Sequence, residues 1–416
     1  MRRREFLRLL ALATAAGASL RPRLSEAQAA AELYDPPAFG NVSLLHITDV
    51  HAQLLPVHFR EPSVNIGIGS QAGKPPHLVG ESLLKRFGIA PGTPAAHALT
   101  YLDFESAARR YGKTGGYAHL ATLVKRLRST RPHALLLDGG DSWQGSATAL
   151  WTEGRDMIGA QKRLGVDYVT AHWEFTYGAE RVQQAIQELA PIEFLAQNVR
   201  TMDFEDVVFK PYALRPVNGM PIAIIGQAFP YTPIAHPRHR FADWSFGIRE
   251  RELQARIDEV RAKGARAVVL LSHNGMDVDL KLAGRIRGLD AILGGHTHDG
   301  VPAPIRVGRT LVTNAGSHGK FVGVLDLQVE AGGVRDYRYR LLPVFADLLP
   351  PDPAMAAYID EVRAPYAGKL GEKLAVTEGL LYRRGNFNGT FDELLLRALM
   401  AEKEAEIAFS PGFRWG

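Results

Sequence analysis

The sequence predicts an α/β fold with its polar groups gathered at strand ends. Short apolar runs alternate with helical patterns along most of the chain, the order expected of sheets covered by helices. Five of those runs end in histidine or aspartate: Asp49-Val50-His51, Gly140-Asp141, His172, Ser272-His273-Asn274, and Gly294-Gly295-His296-Thr297-His298. In α/β sheets, ligands collect outside the carboxyl ends of the strands, which is where such a run delivers its last residues. The chain also has no cysteine. A metal site must therefore use His, Asp, Asn or water, which suits harder or borderline cations.

Composition sets the other bounds. The chain has 416 residues, 46% apolar and 22% charged, ordinary for a globular protein and long enough for two to three domains. The formal charge of +5 is misleading. Residues 1–29 hold six arginines and two glutamates, a net of +4, so the remainder carries only +1. That near-neutral balance gives no case for nucleic-acid binding.

The first 29 residues read as an export signal. Arg3-Arg4-Glu5-Phe6-Leu7-Arg8 precedes an apolar stretch, Leu9 to Leu20, too short to span a bilayer, and Ala27-Gln28-Ala29 offers a small-residue cleavage site. Paired arginines followed by Phe-Leu resemble a twin-arginine signal, which implies the twin-arginine export machinery as a partner and a periplasmic protein without stable membrane association.

Val42 to Thr48 reads as a buried strand delivering Asp49 and His51, with His46 a core or supporting histidine. Residues 56–116 are rich in Gly, Pro and polar side chains, and read as an excursion along one rim of the site with a short helix near Asp103 to Tyr111. Leu120, Leu123, Val124 and Leu127 share one face of a helix over Tyr117 to Ser129. Ala134 to Leu137 is the strand before Asp138-Gly139-Gly140-Asp141, whose glycines allow a sharp turn, with Asp138 bonding turn amides.

Val166 to Thr170, Ile192 to Ala196, Pro221 to Ile225, Ala267 to Leu271, Asp290 to Leu293 and Thr310 to Val312 read as further strands, with a helix over Phe246 to Lys263. Phe321 to Val329 and Val334 to Leu342 alternate as antiparallel strands do. Residues 351–375 read as a linker and helix. Residues 376–416, with a helix over Phe391 to Glu404, read as the start of a truncated second domain. Trp143, Trp151 and Trp244 are expected to pack. His58, His77, His97, His119 and His133 are expected at the surface or behind the site, with the cleft as an alternative for His58, and an approach to the substrate is the minority reading for His318, beside a Gly-rich turn and Lys320.

Taken in order, DxH, GD, the His172 loop, SHN and GHTH resemble the 5′-nucleotidase family of binuclear metallophosphoesterases over most of residues 42–416. The resemblance implies a four-layer α/β/β/α domain over 30–350, followed by the start of a 5′-nucleotidase-type C-terminal domain. It also implies two divalent cations. Asp49, His51 and His298 would hold one, His273 and His296 the other, Asp141 would bridge them, and His172 would fill the remaining ligand position.

One motif departs from the nucleotidases, which carry Asn-His-Glu-Phe-Asp where this chain has His172-Trp173-Glu174-Phe175-Thr176. The catalytic histidine has become Trp173 and its orienting aspartate Thr176. That variant, with Phe59-Arg60-Glu61-Pro62 and the terminal Phe409 to Gly416, resembles the SoxB family of thiosulfohydrolases. Membership implies two manganese ions, with zinc or iron as alternatives, and release of sulfate from a cysteine S-thiosulfonate on the SoxYZ carrier by a monomer. Asp141, His172 and Arg414 would take part in catalysis. Trp173, Asn198, Arg383 and Arg414 would line the substrate, with Arg384 competing for the role of Arg383 and a turn role equally open for Asn198. The alternative is a periplasmic 5′-nucleotidase or cyclic-nucleotide phosphodiesterase.

Overall fold

The computed structural model describes residues 33–61, 63, 67–383 and 389–410. Its core is two six-stranded sheets. The strands in chain order are β1 (Val42–Ile47), β2 (Leu135–Asp138), β3 (Tyr168–Val169), β4 (Glu193–Phe194), β5 (Arg200–Thr201), β6 (Tyr212–Val217), β7 (Met220–Gln227), β8 (Trp244–Ser245), β9 (Ala267–Ser272), β10 (Ala291–Gly294), β11 (Ile305–Val307), β12 (Thr310–Asn314), β13 (Phe321–Glu330) and β14 (Gly333–Pro343). One sheet runs β14-β13-β1-β2-β3-β4, the other β11-β12-β10-β9-β7-β6, and β5 pairs with β8 alone.

The strand sequences show why the layers stack as they do. All six residues of β1 and of β9 are buried, because both faces of each sheet are covered and alternate side chains point to opposite faces. Leu44 of β1 meets Val269 and Leu271 of β9 in the core between the sheets. Leu45 and Ile47 face the outer core with the helix Tyr117–Thr130. On the far side, Val268 and Leu270 pack with Leu253, Ile257 and Val260 of the helix Glu250–Ala262. The result is a four-layer α/β/β/α domain, and truncating a residue such as Leu270 to Ala would cost about 2–5 kcal/mol.

The pairing decides where the site forms. β1, β2 and β3 lie side by side and parallel in one sheet, and β9 and β10 do so in the other. Their carboxyl ends therefore point the same way, and the loops that follow meet.

Among its described residues the 56–116 excursion holds three α-helices, Gly80–Phe87, Pro94–Leu99 and Phe104–Tyr111, where the sequence suggested one. The helix expected over Ala354 to Leu370 is α-helical over Pro353–Arg363 and breaks into shorter turns beyond it. Val376 to Tyr382 forms no strand. The helix Thr390–Lys403 follows, and Leu394, Leu399, Ile407 and Phe409 in this region are exposed. Residues 1–29, read from the sequence as an export signal, lie outside the described residues.

Candidate metal centre

Every loop after β1, β2, β3, β9 and β10 contributes to one cluster. Asp141, His172, His273 and His296 offer ligand atoms within 4.8 Å of one another, and Asp49, His51 and His298 form a second such group. Asp141 Oδ2 lies 3.2 Å from His172 Nδ1 and 3.1 Å from His273 Nε2, and also 3.7 Å from His51 Nε2 of the other group. Asp49 Oδ1 lies 3.3 Å from His298 Nε2 and 3.7 Å from His273 Nε2. Each carboxylate thus touches both groups.

The backbone is forced into shape around these side chains. Asp49, His51, Asp141, His296 and His298 all have positive φ, between 50° and 74°, a conformation that non-glycine residues adopt rarely and that collects at functional sites. Hydrogen bonds hold them there. Asp49 N–H donates to Gly140 O and His51 N–H to Asp141 O, His296 N–H donates to Asp49, and Thr48 Oγ1 donates to Asp49 Oδ2 at 2.5 Å. The Gly294-Gly295 turn has no alternative: a Cβ on Gly295 would sit 2.4 Å from Thr48 Oγ1 and 3.0 Å from His273 Nδ1.

The donor set fits divalent cations. His51 Nε2 and His298 Nε2 lie 3.0 Å apart, and two bare lone pairs at that distance need a shared cation or a proton between them. Burial pushes His51 down to about 4 and His296 to about 3, which keeps both rings neutral, the form that binds metal. Burial opposes the charge on Asp141, but His172 and His273 hold its carboxyl well below the usual range. Against its own burial, His273 is raised to about 10 by Asp141 and Asp49. Two carboxylates and mostly neutral imidazoles are a hard-to-borderline donor set.

Glu174 was not anticipated. It is fully buried and accepts hydrogen bonds from four backbone N–H groups: His172 (2.8 Å), Asp141 (3.2 Å), Ser142 (2.6 Å) and Trp143 (3.3 Å). One carboxylate thereby clamps the two ligand loops together. Burial, then Asp141, raises it to about 7. Its only trace in the sequence is an acidic residue inside the otherwise apolar Trp-Glu-Phe stretch. Asp138 accepts from Gly140 N–H, as expected, and also from Ser142 Oγ and Gln161 Nε2.

Trp173 flanks the cluster. Its backbone N–H donates to Asp141 Oδ1 at 2.7 Å, and its indole lies 5.0 Å from the His172 ring. Phe229 covers the same side, 4.0 Å from the His172 ring and 4.2 Å from that of His296. His318 stands beside the other group, 5.6 Å from His51 and 5.7 Å from His298, with Phe59 behind it.

Other expected substrate residues are placed differently. Asn198 is fully buried, donates to Ala228 O and Gly247 O, and accepts from Ala228 N–H. Both its amide hydrogens serve the loop, leaving no donor for an anion, so it acts here as a turn clamp. Arg383 donates to Asp392 at 3.1 Å and to Ser410 at 3.5 Å. Arg384 and Arg414 lie outside the described residues. His97 corrects another expectation: it is buried, with its ring 5.7 Å from Tyr111 and 6.0 Å from Phe345. His46 is buried as expected, but neither ring nitrogen has a hydrogen-bond partner. Trp143, Trp244 and Trp151 pack, the last against Tyr366.

Comparison with solved structures decides the family. The sulfate thiohydrolase SoxB of Thermus thermophilus superposes with a TM-score of 0.89 at 40% identity, covering 92% of this chain and 71% of that one. The chain belongs to the SoxB family. A 5′-nucleotidase precursor from Thermus thermophilus shares the fold at 22% identity and a TM-score of 0.66, covering 87% of this chain and 67% of its own. The bovine 5′-nucleotidase is 26% identical over 273 residues, 60% of this chain and 47% of that protein. A snake-venom 5′-nucleotidase from Gloydius brevicauda is 27% identical over 190 residues, 44% of this chain and 32% of its own length. The chain thus spans less than half the length of these curated relatives. No family model matches the sequence. SoxB-type and nucleotidase-type proteins share the metallophosphoesterase architecture, and the His172-Trp173 loop is where this chain departs from the nucleotidase motif.

Proposed function

We propose that the protein is a thiosulfohydrolase that releases sulfate from a cysteine S-thiosulfonate on a SoxYZ-type carrier. The observation that carries this reading is Trp173 at the edge of the His/Asp cluster, its backbone N–H donating to Asp141, where a phosphomonoesterase of this architecture needs an acid for its leaving group. A phosphate monoester expels an alkoxide, which a general acid must protonate. A thiosulfonate expels a persulfide, at least as acidic as a cysteine thiol of pKa about 8.5, and it departs as an anion without an acid.

Asp49, His51 and His298 would hold one divalent cation, and Asp141, His172, His273 and His296 the other. A cation pair supplies Lewis acidity toward the sulfonate oxygens and a water activated for attack. The chain's residues do the rest. Asp141 and Asp49 join the two groups, Glu174 fixes the distance between the Asp141 and His172 loops, and Trp173 and Phe229 exclude water from the leaving-group side. Arg414 and Arg383 are kept as sulfonate-binding groups contributed from residue 376 onward, the start of a C-terminal substrate domain. For Arg383 this requires release from Asp392. Manganese is the proposed metal. Export by the twin-arginine machinery to the periplasm is proposed from residues 1–29, and no helix among the described residues is long and apolar enough to cross a membrane.

The competing reading, a 5′-nucleotidase or cyclic-nucleotide phosphodiesterase, draws on the curated relatives. The replacement of the motif's histidine and aspartate by Trp173 and Thr176 stands against it. The test is sulfate release from a thiosulfonated carrier by the full-length, manganese-loaded protein, with AMP as a parallel substrate. Sulfate without phosphate is expected. Phosphate without sulfate would return the chain to the nucleotidases.

A further inference from the structure

One histidine beside the cluster belongs to neither ligand group. His236 is 6% exposed, and its Nε2 is buried without a hydrogen-bond partner. The ring is held from several directions. It meets the Trp173 indole edge-on at 4.6 Å and 80°, lies 5.9 Å from the His172 ring, and is closed off by Phe241 at 6.1 Å. Its backbone is equally fixed: His236 N–H donates to Thr232 O, and the buried Thr232 hydroxyl donates to Phe229 O. Arg240, in the turn that follows, donates to the Thr176 carbonyl and ties this segment to the Trp173 loop.

A buried imidazole nitrogen without a partner costs free energy unless something arrives to bond it. Packing alone does not explain a histidine here. A phenylalanine would fill the same space against Trp173 and Phe241 and leave no orphan. The ring stands beside His172 and Trp173 at the edge of the His/Asp cluster. A neutral imidazole offers one N–H and one lone pair, and the group it would meet there is an oxyanion, an acceptor.

We propose that His236 is a substrate-contacting residue whose Nε2–H donates a hydrogen bond to an oxygen of the bound tetrahedral anion, and so helps fix which way the scissile bond points. The identity of that anion as a sulfonate rests on the thiosulfohydrolase reading. The contact itself does not.

The test compares His236→Phe, which keeps the ring volume and removes the donor, with His236→Gln, whose amide nitrogen falls near the Nε2 position. Both are assayed as full-length, manganese-loaded proteins against the thiosulfonated carrier and against p-nitrophenyl phosphate, with metal content and Tm measured alongside. The Phe variant is expected to keep two metals and its Tm while losing roughly ten- to hundred-fold in kcat/KM, as for a hydrogen bond to a charged group. The Gln variant is expected to recover most of that loss. Wild-type kcat/KM in the Phe variant overturns the proposal, as does equal impairment in both variants. Loss of metal in the Phe variant also overturns it, because the ring would then merely support His172. If the wild type turns over only the phosphate ester, the thiosulfohydrolase reading fails, and the Phe/Gln contrast on that ester still decides the role of His236.

Discussion

The two halves of the metal cluster are built by different means. In the Asp49/His51/His298 group, all three residues have φ between 50° and 58°, so the backbone itself is bent to present them. Bonds from Thr48 and from the His296 amide hold Asp49 in that bend. In the Asp141/His172/His273/His296 group, His172 has an extended φ of −148°. There a buried carboxylate, Glu174, does the holding by gathering four amides from two loops. One half rests on backbone strain at every ligand, while the other combines such strain at Asp141 and His296 with a clamp from a further side chain. A strained turn is sensitive to the residues within it, whereas a clamp fails when one remote group is lost.

The largest effect tests what both halves share. Asp141→Asn removes the negative charge that touches His172, His273 and His51. Both metals should be lost together, with kcat/KM falling on the order of a thousand-fold, about 4 kcal/mol of barrier. Elemental analysis checks this directly: retention of one metal would show that the halves are independent.

The next effect concerns the wall behind the Asp49 half. Lys320 is buried against the Phe59 and Phe321 rings and is ion-paired with Glu61. Burial pushes its ammonium well below the usual lysine range, and Glu61 is the carboxylate paired with it. Glu61→Gln leaves Lys320 with a weaker partner and should cost about 3 kcal/mol in denaturant unfolding. Adding Lys320→Met should restore most of it. A double variant as unstable as the single one would show that the pair is not the unit that matters.

Glu174→Gln sharpens the comparison further. Gln keeps the volume, but replaces one accepting oxygen with a donor that faces amides. Loosening of the clamp should weaken one of the two metals by roughly ten- to hundred-fold, as losses of supporting hydrogen bonds do, and leave the Asp49 half nearly intact. Equal weakening of both sites in a metal titration would contradict the division drawn here.

How far these features could be read from sequence follows the same division. β1, β2, β9 and β10 were legible because strands buried on both faces write continuous apolar runs, and the ligands at their ends follow at once. The helix Tyr117–Thr130 showed its apolar face openly. Glu174 was hidden because a carboxylate that bonds only backbone amides leaves no pairing pattern in the sequence. His236 was hidden for a related reason: it lies in a Pro-containing segment with no motif spacing, and only the fold brings it to Trp173. Asn198 was matched by motif, yet its amide turned inward to the Ala228 and Gly247 backbone. The helices Gly80–Phe87 and Pro94–Leu99 were masked by the Gly and Pro residues around them.

The smallest predicted effect is a proton, and it again separates the halves. In the metal-free protein, burial works against a charge on His273, but Asp141 and Asp49 raise it to about 10. His51 and His296 are held neutral, at about 4 and about 3. Metal binding requires the bare lone pair of His273, so at pH 8 its proton must be displaced, whereas His51 and His296 have none to lose. Loading the Asp141 half should therefore release close to one proton, and loading the Asp49 half close to none. Calorimetry in buffers of different ionisation enthalpy measures that number directly. The same shift has a consequence for the metal-free protein. A folded-state value raised above the unfolded 6.5 contributes stability that is full below about pH 6.5 and is lost as pH rises through about 10. The metal-free Tm should fall across that window, while the metal-loaded Tm, with His273 already deprotonated, should not. Parallel falls in both would mean that the proton sits elsewhere in the cluster.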